Sequence, residues 1–406
     1  MSDDAYEPAE FEQLQEMVNE ATIVRAVNLI ISQALNDKAW SIHLEQEENQ
    51  GRVRYRVDGQ LFTVMEPPKQ AFPAILTRLK IMANMDIADA RHPQDGLIHL
   101  NHDGIDYDLL ASCSPGLHGE KMVLRISLAR VRRLEDCQLS ELDLSPASWQ
   151  HLSGLLQRRA GLCLVAGVCG SGRTTLLYSC LRHLNQDNRC LHSIEDDLAV
   201  RLPWVHQVKV DRRQGLSTAQ LLRVFMRQDP DVIMVGALSD RETASLALEA
   251  AVSGHLVLAE SSGFDAASSL QRLIDFPVEP FMVASAVIGA VGLRLARRLC
   301  AHCREPFAPS PAALGSLGSP RGPFFRAAGC AHCQQRGFSG RCGLHEVLVP
   351  GEAQREVLLS RGSLQQIRQA APADFVSLRQ DGLQKVAQGL ISPEEFLRIF
   401  GDDGNE

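Results

Sequence analysis

Positive charge is in deficit in this sequence: 41 lysines and arginines face 49 aspartates and glutamates, a formal net charge of −8. That balance gives no general electrostatic pull towards nucleic acid or anionic lipid, so no nucleic-acid partner is expected. Long apolar runs are missing too. The uncharged stretch Phe281–Leu293 falls short of the roughly 20 residues a membrane span needs, and it reads as a buried helix. The opening residues MSDDAYEPAEFEQ are acidic and polar rather than basic and apolar, which predicts no signal peptide and a cytoplasmic protein. A disordered composition is also absent: 45% of residues are hydrophobic and 22% charged, ordinary globular values. Internal repeats are not seen. The 11 cysteines suggest disulfides, but without an export signal a reducing compartment is expected. Four of them form two CxxC pairs, and the scattered seven read as small buried apolar residues.

With 406 residues the chain can hold two or three cores. Residues 1–20 read as an acidic leader and 21–130 as an α+β domain. A helix is predicted over Thr22–Leu35, where Ile23, Ala26, Val27, Ile30 and Ala34 share one face. Val53, Tyr55 and Val57 alternate with Arg52, Arg54 and Arg56, and Asp58-Gly59 turns the chain into a second strand. A helix over Pro68–Met85 and strands at Leu97–Leu100, Tyr107–Ala111 and Met122–Ile126 complete the domain. Residues 131–146 suit a linker. From 147 to 299 strands (Leu162–Ala166, Val205–Val210, Val232–Val235) alternate with helices (174–184, 217–228, 240–252), which argues for a mostly parallel sheet. Residues 300–345 hold the cysteine pairs around a Pro/Gly-rich loop at 308–323, and 346–406 read as helical.

Between the strand ending at Ala166 and the helix that follows lies Gly167-Val168-Cys169-Gly170-Ser171-Gly172-Arg173-Thr174-Thr175. It fits the phosphate-binding loop GxxxxGK[ST] everywhere except the lysine. Gly167, Gly170 and Gly172 let backbone N–H groups turn inward around phosphate oxygens, Ser171 lies among them, and the helix N-terminus adds a favourable dipole. Thr174, with Thr175 beside it, is the expected magnesium ligand. Arg173 in place of lysine is not conservative, because a forked, planar guanidinium does not fit between two phosphates as an ammonium does. It is left with two roles, holding a phosphate or pairing with an acidic neighbour.

Cys300-Ala301-His302-Cys303 and Cys330-Ala331-His332-Cys333 are two knuckles of the type that close a tetrahedral zinc site. Cys300, Cys303, Cys330 and Cys333 are the expected ligands. His302 and His332 are spare donors, and Cys342 lies outside the set. Arg297, Arg298 and Arg304 are expected to offset the thiolate charge.

The segments RVRYRVDGQL (52–61), HPQDG (92–96), the glycine loop, RQDPDVIMVG (227–236), SGHLVLAE (253–260) and RRLCAHCRE (297–305) together resemble the type II secretion and type IV pilus assembly ATPase family. The tetracysteine knuckles, followed by GFSGRCGLHE (337–346), resemble its zinc-containing assembly branch. The resemblance implies an α/β fold: a RecA-like P-loop ATPase core preceded by a small α+β (PAS-like) domain and followed by a tetracysteine zinc module and helical tail. It also implies a hexamer of itself or with an active paralogue, an inner-membrane platform protein as partner, and ATP or ADP with magnesium beside zinc. By the same resemblance Glu195 and Asp196 hold the acidic box and His255 the histidine box. Several family positions have changed. The water-polarising glutamate is Ala237 and the arginine after it is Ser239. The second histidine is Ser262, and the first-domain arginine is Leu110. Alanine cannot accept a water proton, so hydrolysis is expected to be weak or absent.

Three readings follow: a pseudo-ATPase ring subunit, an active motor in which Glu260 replaces the lost glutamate, and a zinc-stabilised module that has left the machine. Retention of RVRYRVDG and HPQDG argues against the third. The leader of roughly 20 residues is too short for the extra membrane-docking domain of many relatives, so recruitment by that route is not expected.

Overall fold

The computed structural model describes residues 20–128, 137–211, 214–310, 315, 317 and 323–401. Nearly all of the expected leader, residues 131–136 of the linker and most of the 308–323 loop lie outside the described residues. The chain forms two compact units, Met1–Val131 and Arg132–Glu406.

Among the described residues the first unit is a six-stranded antiparallel sheet with two helices. Helix α1 (Glu20–Asn36) leads into β1 (Ser41–Gln46), β2 (Gly51–Val57) and β3 (Gln60–Met65). Helix α2 (Phe72–Met82) precedes β4 (Gln94–His102), β5 (Ile105–Pro115) and β6 (Glu120–Leu128), and the spatial order is β3-β2-β1-β6-β5-β4. Alternation works along β2: Val53, Tyr55 and Val57 are buried, and the Tyr55 hydroxyl donates to the Ile30 carbonyl on α1 at 2.6 Å. Asp58 and Gly59 both take positive φ, as a two-residue hairpin requires, and pair Val57 with Gln60. Helix α2 is shorter than the predicted Pro68–Met85. The segment before it serves the sheet instead: the Gly51 N–H bonds the Pro67 carbonyl.

The second unit is a seven-stranded sheet covered on both faces. A short 3₁₀ turn (Leu139–Glu141) and α3 (Pro146–Leu156) precede β7 (Gly161–Ala166) and α4 (Arg173–Leu184). Then come β8 (Leu191–Glu195), β9 (His206–Lys209), α5 (Thr218–Phe225), β10 (Val232–Val235), α6 (Arg241–Val252), β11 (Leu256–Ser261), α7 (Ala266–Asp275) and α8 (Pro280–Ala286). The long β12 (Val287–Leu299) continues into the cysteine module, whose small ribbon is β13 (Arg304–Phe307) with β14 (Phe324–Ala327). Strand β15 (Phe338–Leu348) returns to the main sheet. Its order is β15-β12-β7-β11-β10-β8-β9, parallel from β12 to β9, with β15 an antiparallel edge. This is the parallel α/β arrangement expected of a RecA-like core. The tail adds α9 (Glu352–Leu359), α10 (Leu364–Gln369), α11 (Leu378–Ala387) and α12 (Pro393–Phe400).

Phe281–Leu293, expected as one buried helix, is instead all but the first residue of α8 and the first half of β12. The strand half, Val287–Leu293, is buried along its whole length, because neighbours cover both faces of a parallel sheet. Such a strand shows no alternation and cannot be told from a helix by periodicity. Among the described residues no helix is long and apolar enough to cross a membrane.

Candidate functional site

Strand β7 is buried at every residue and pairs in parallel with β11 on one side and β12 on the other. Register sets Glu260 opposite Val165 and Ser261 opposite Ala166. The glycine loop leaves β7 at this end of the sheet and enters α4 at Arg173, with Gly172 in the left-handed N-cap conformation. Gly167 has φ 157°, and a Cβ there would sit 2.4 Å from Ser171 Oγ and 2.5 Å from the Leu293 carbonyl oxygen. A side chain at Gly167 would therefore break the loop. Ser171 is buried with its hydroxyl unpartnered. The backbone half of a phosphate cradle, glycines plus a 12-residue helix N-terminus, is thus in place and fits a polyphosphate.

The side-chain half is occupied from within. Arg173 Nε lies 3.4 Å from Glu260 Oε2, and its Nη1 donates to the Ser261 carbonyl at 3.2 Å. Thr174 donates its hydroxyl to Glu260 Oε1 at 3.1 Å. Of the two roles left open for Arg173, the structure has the acidic neighbour. Burial pushes the Glu260 carboxyl above its ordinary range; Arg173 and Thr174 oppose this, and the charges of Glu195 and Asp196 add to it.

Strand β10 ends beside this pair. The Gly236 N–H bonds the Ile194 carbonyl at 2.8 Å, and the Leu238 N–H bonds the Glu260 carbonyl at 3.0 Å. Ala237 is held between those two ties, so a methyl group stands at the expected water-polarising position. Ser239 donates to Asp240, and Asp240 caps α6 by accepting the Thr243 N–H at 2.9 Å.

Of the remaining predicted site residues, Glu195 and Asp196 lie near enough to Glu260 to act on its charge, and His255 lies at the other end of β11. Glu195 is 3% exposed and accepts from Tyr178 at 2.5 Å, Ser193 at 2.7 Å and Gln207 at 3.1 Å. Three donors saturate it as a buried acceptor at the end of β8, while Asp196 is exposed. His255 does not join the loop. It precedes the first residue of β11, its carbonyl accepting the Gly161 N–H, and its ring bonds the Ala250 carbonyl at 2.9 Å. The whole of β11, about 20 Å of strand at about 3.3 Å per residue, separates it from the phosphate end. Ser262 is exposed just past β11. Leu110 lies in the first unit on β5, 44% exposed. Tyr178, Ser193 and Gln207 were not anticipated as supports of Glu195, and only the register of β8 and β9 brings Gln207 to it.

The four predicted thiols converge. Cys300, Cys303, Cys330 and Cys333 place all their sulfurs within 4.8 Å of one another. Three sulfur pairs measure 3.9, 3.7 and 3.8 Å. Four sulfurs each about 2.3 Å from one tetrahedral ion would be about 3.8 Å apart, so the set fits such an ion. N–H groups of Gly329, Cys330 and Gly337 donate to the sulfurs at 3.1–3.3 Å. Burial opposes ionisation of Cys333, and the Cys330 and Gly337 N–H groups together with the Cys303 and Cys330 thiols draw its thiol below the ordinary range. The expected arginine offset is not the arrangement found. Arg297 pairs with Glu395, Arg298 with Asp143, and Arg304 bonds the Gly389 carbonyl and lies over the Phe325 ring. Backbone amides take that place at the sulfurs. His302 and His332 pack against each other at a tilt of 47°, centroids 4.1 Å apart, outside the sulfur cluster. Cys342 is buried elsewhere, bonding the Gly343 carbonyl.

Residues 16–398 match the family described as type II/IV secretion system protein. The chain is 37% identical to type II secretion system protein E of Pseudomonas aeruginosa over 397 residues, covering 97% of this chain and 78% of that one. It is 35% identical to type II secretion system ATPase E of Vibrio cholerae, covering 98% and 80%. It is also 35% identical to the type IV pilus assembly ATPase PilB of Thermus thermophilus, covering 94% of this chain and 43% of that one. Among solved structures the Legionella pneumophila ATPase DotB aligns with a TM-score of 0.68 at 18% identity over 93% of this chain and 96% of DotB. The pilus retraction motor PilT with bound ADP aligns at 0.58 and 22% identity, covering 91% and 95%. These two structures support the P-loop ATPase fold.

Proposed function

The chain belongs to the type II/IV secretion system protein family, among its secretion and pilus assembly ATPases, and from that premise we propose that it is a ring subunit that hydrolyses ATP weakly or not at all. The observation that carries this reading is the internal engagement of Arg173 and Thr174 by Glu260, beside an alanine at position 237. Phosphoryl transfer needs a cation on the β and γ phosphates, a hydroxyl on magnesium and a carboxylate on the attacking water. Here the first two groups are tied to the protein itself and the third is a methyl group. In this reading the subunit acts as scaffold or regulator in a hexamer of itself or with an active paralogue. It works on the cytoplasmic side and contacts an inner-membrane platform protein. The tetracysteine cluster holds zinc as a structural ion. ATP or ADP with magnesium binds weakly through Gly167, Gly170, Ser171, Gly172, Thr174 and Thr175.

One observation favours a second reading, an active motor. Glu260 is a buried carboxylate beside Thr174, held above the ordinary carboxylate range chiefly by burial, which suits a base. Steady-state phosphate release separates the two. The pseudo-ATPase reading expects background rates from the purified chain alone. Robust turnover that Glu260→Gln abolishes selects the active motor.

A further inference from the structure

Glu260 stands at the C-terminal end of β11, where parallel pairing with β7 brings it beside the first turn of α4. Its two oxygens divide between the loop's functional groups: Oε2 faces the Arg173 guanidinium at 3.4 Å and Oε1 accepts from Thr174 at 3.1 Å. The Ser261 carbonyl takes a further Arg173 N–H at 3.2 Å. Glu260 is itself fixed at the backbone, its carbonyl accepting the Leu238 N–H from the segment that follows β10. Its side chain is 15% exposed, and the Arg173 side chain 24%. A buried carboxylate is costly unless paired, and these two residues are the partners that lower its cost.

We propose that Glu260 is a built-in anionic plug of the phosphate loop, satisfying Arg173 and Thr174 in place of a nucleotide's terminal phosphate and magnesium. The inference rests on the reading of this loop as a nucleotide-derived site, and it adds a cause: the loop is held closed to polyphosphate by a competing anion, beyond any loss of catalytic groups. A polyphosphate entering the cradle must displace the carboxylate from both residues. It also meets the carboxylate as a like charge, along with Glu195 and Asp196, which already act electrostatically on Glu260. Ligands that put a phosphate at the Arg173–Thr174 end suffer the competition, and ligands too short to reach it do not.

The test is binding by the full-length chain with magnesium, using ADP, inorganic pyrophosphate and AMP as probes. Glu260→Gln keeps the shape and removes the charge; Glu260→Ala removes both. Each variant is checked for native unfolding temperature. Both should bind ADP and pyrophosphate about tenfold or more tightly than the unaltered chain, about 1.4 kcal/mol, with AMP affinity unchanged. Equal or weaker ADP and pyrophosphate binding by the variants overturns the plug, and so does equal tightening for AMP, which indicates a diffuse charge effect. One measurement needs no variant: low-micromolar or tighter ADP binding by the unaltered chain overturns the plug outright. Phosphate release is read in the same samples. Tighter binding without turnover supports both the plug and the proposed function. Turnover by the unaltered chain sinks the proposed function, while the binding arms still decide the plug.

Discussion

Arg297 grips Glu395 with two guanidinium nitrogens, Nε at 2.9 Å and Nη2 at 2.8 Å, and its own backbone N–H takes the other carboxylate oxygen at 2.9 Å. Glu395 lies on α12 with a fully buried side chain, and Arg297 stands three residues before Cys300 on β12. One ion pair therefore ties the last helix to the strand that feeds the metal module. Removing one partner of a buried pair leaves an uncompensated charge and costs about 3–5 kcal/mol. Glu395→Ala should destabilise the second unit by about 3 kcal/mol and accelerate proteolysis of the C-terminal helices. Chemical denaturation with fragment mapping checks it, and a loss below about 1 kcal/mol would show the pair to be dispensable.

The sulfur geometry sets the second prediction. One zinc per chain is expected, with four sulfurs about 2.3 Å from the metal by X-ray absorption. Cys303→Ser and Cys330→Ser should each lose zinc and lower the unfolding temperature. Cys342→Ser, His302→Ala and His332→Ala should keep it, because those residues lie outside the sulfur cluster. Zinc loss in either histidine variant would mean that a ring nitrogen is a ligand.

Much of this site was legible because its signals are local. A strand, four glycine-spaced residues and a helix lie within about 25 positions, and each CxxC pair is self-contained. What the sequence could not display is what lies across the sheet. The engagement of Arg173 by Glu260 spans 87 positions and exists because β11 pairs with β7 in one register. The same holds for His255: the family resemblance implied that it belongs to this site, but β11 carries its two ends to opposite ends of the sheet. The helix–strand junction at Ala286–Val287 was hidden because a strand buried on both faces has no period. Glu346 was missed although it carries a signal, a lone acid within the apolar run of β15.

That residue gives a pH prediction. Glu346 is buried, and its oxygens accept the Ala266 N–H at 2.6 Å and the Leu378 N–H at 2.9 Å, the first residues of α7 and α11. Burial pushes its carboxyl up to about 7, against 4.5 for an ordinary glutamate. A raised folded value means stability that is complete below about pH 4.5 and is lost as pH rises through about 7, in total about 3 kcal/mol. The adjacent His345 works in the opposite sense. Burial lowers its imidazole to about 3, so its contribution is complete above about pH 6.5 and falls on acidification. The difference in unfolding free energy between the unaltered chain and Glu346→Gln cancels His345. That difference should shift in favour of Glu346→Gln between pH 4.5 and 7 and be flat above about pH 8. A difference constant across pH 4.5–8 would show that Glu346 does not titrate there.

The last prediction rests on the proposed function and concerns which groups the site needs for hydrolysis. Arg173→Lys supplies the compact cation that a phosphate clamp prefers. It does nothing for the water, because Ala237 still offers no acceptor, and a lysine at 173 remains within reach of Glu260. Arg173→Lys alone should therefore release phosphate at background. Ala237→Glu alone should also stay at background. It adds a carboxylate to the end of the sheet where Glu195, Asp196 and Glu260 already interact, and it leaves the clamp unchanged. Arg173→Lys with Ala237→Glu and Leu110→Arg supplies cation, base and first-domain arginine together, and turnover above background is expected from that combination, more so with Glu260→Gln added. Groups in one catalytic site act as a unit, so the single and double variants should fall far short of a proportional share. The measurement is steady-state phosphate release per chain for the series. Turnover by Arg173→Lys alone would mean that a carboxylate already present, Glu260 foremost, serves as the base, and that the alanine at 237 does not by itself prevent hydrolysis.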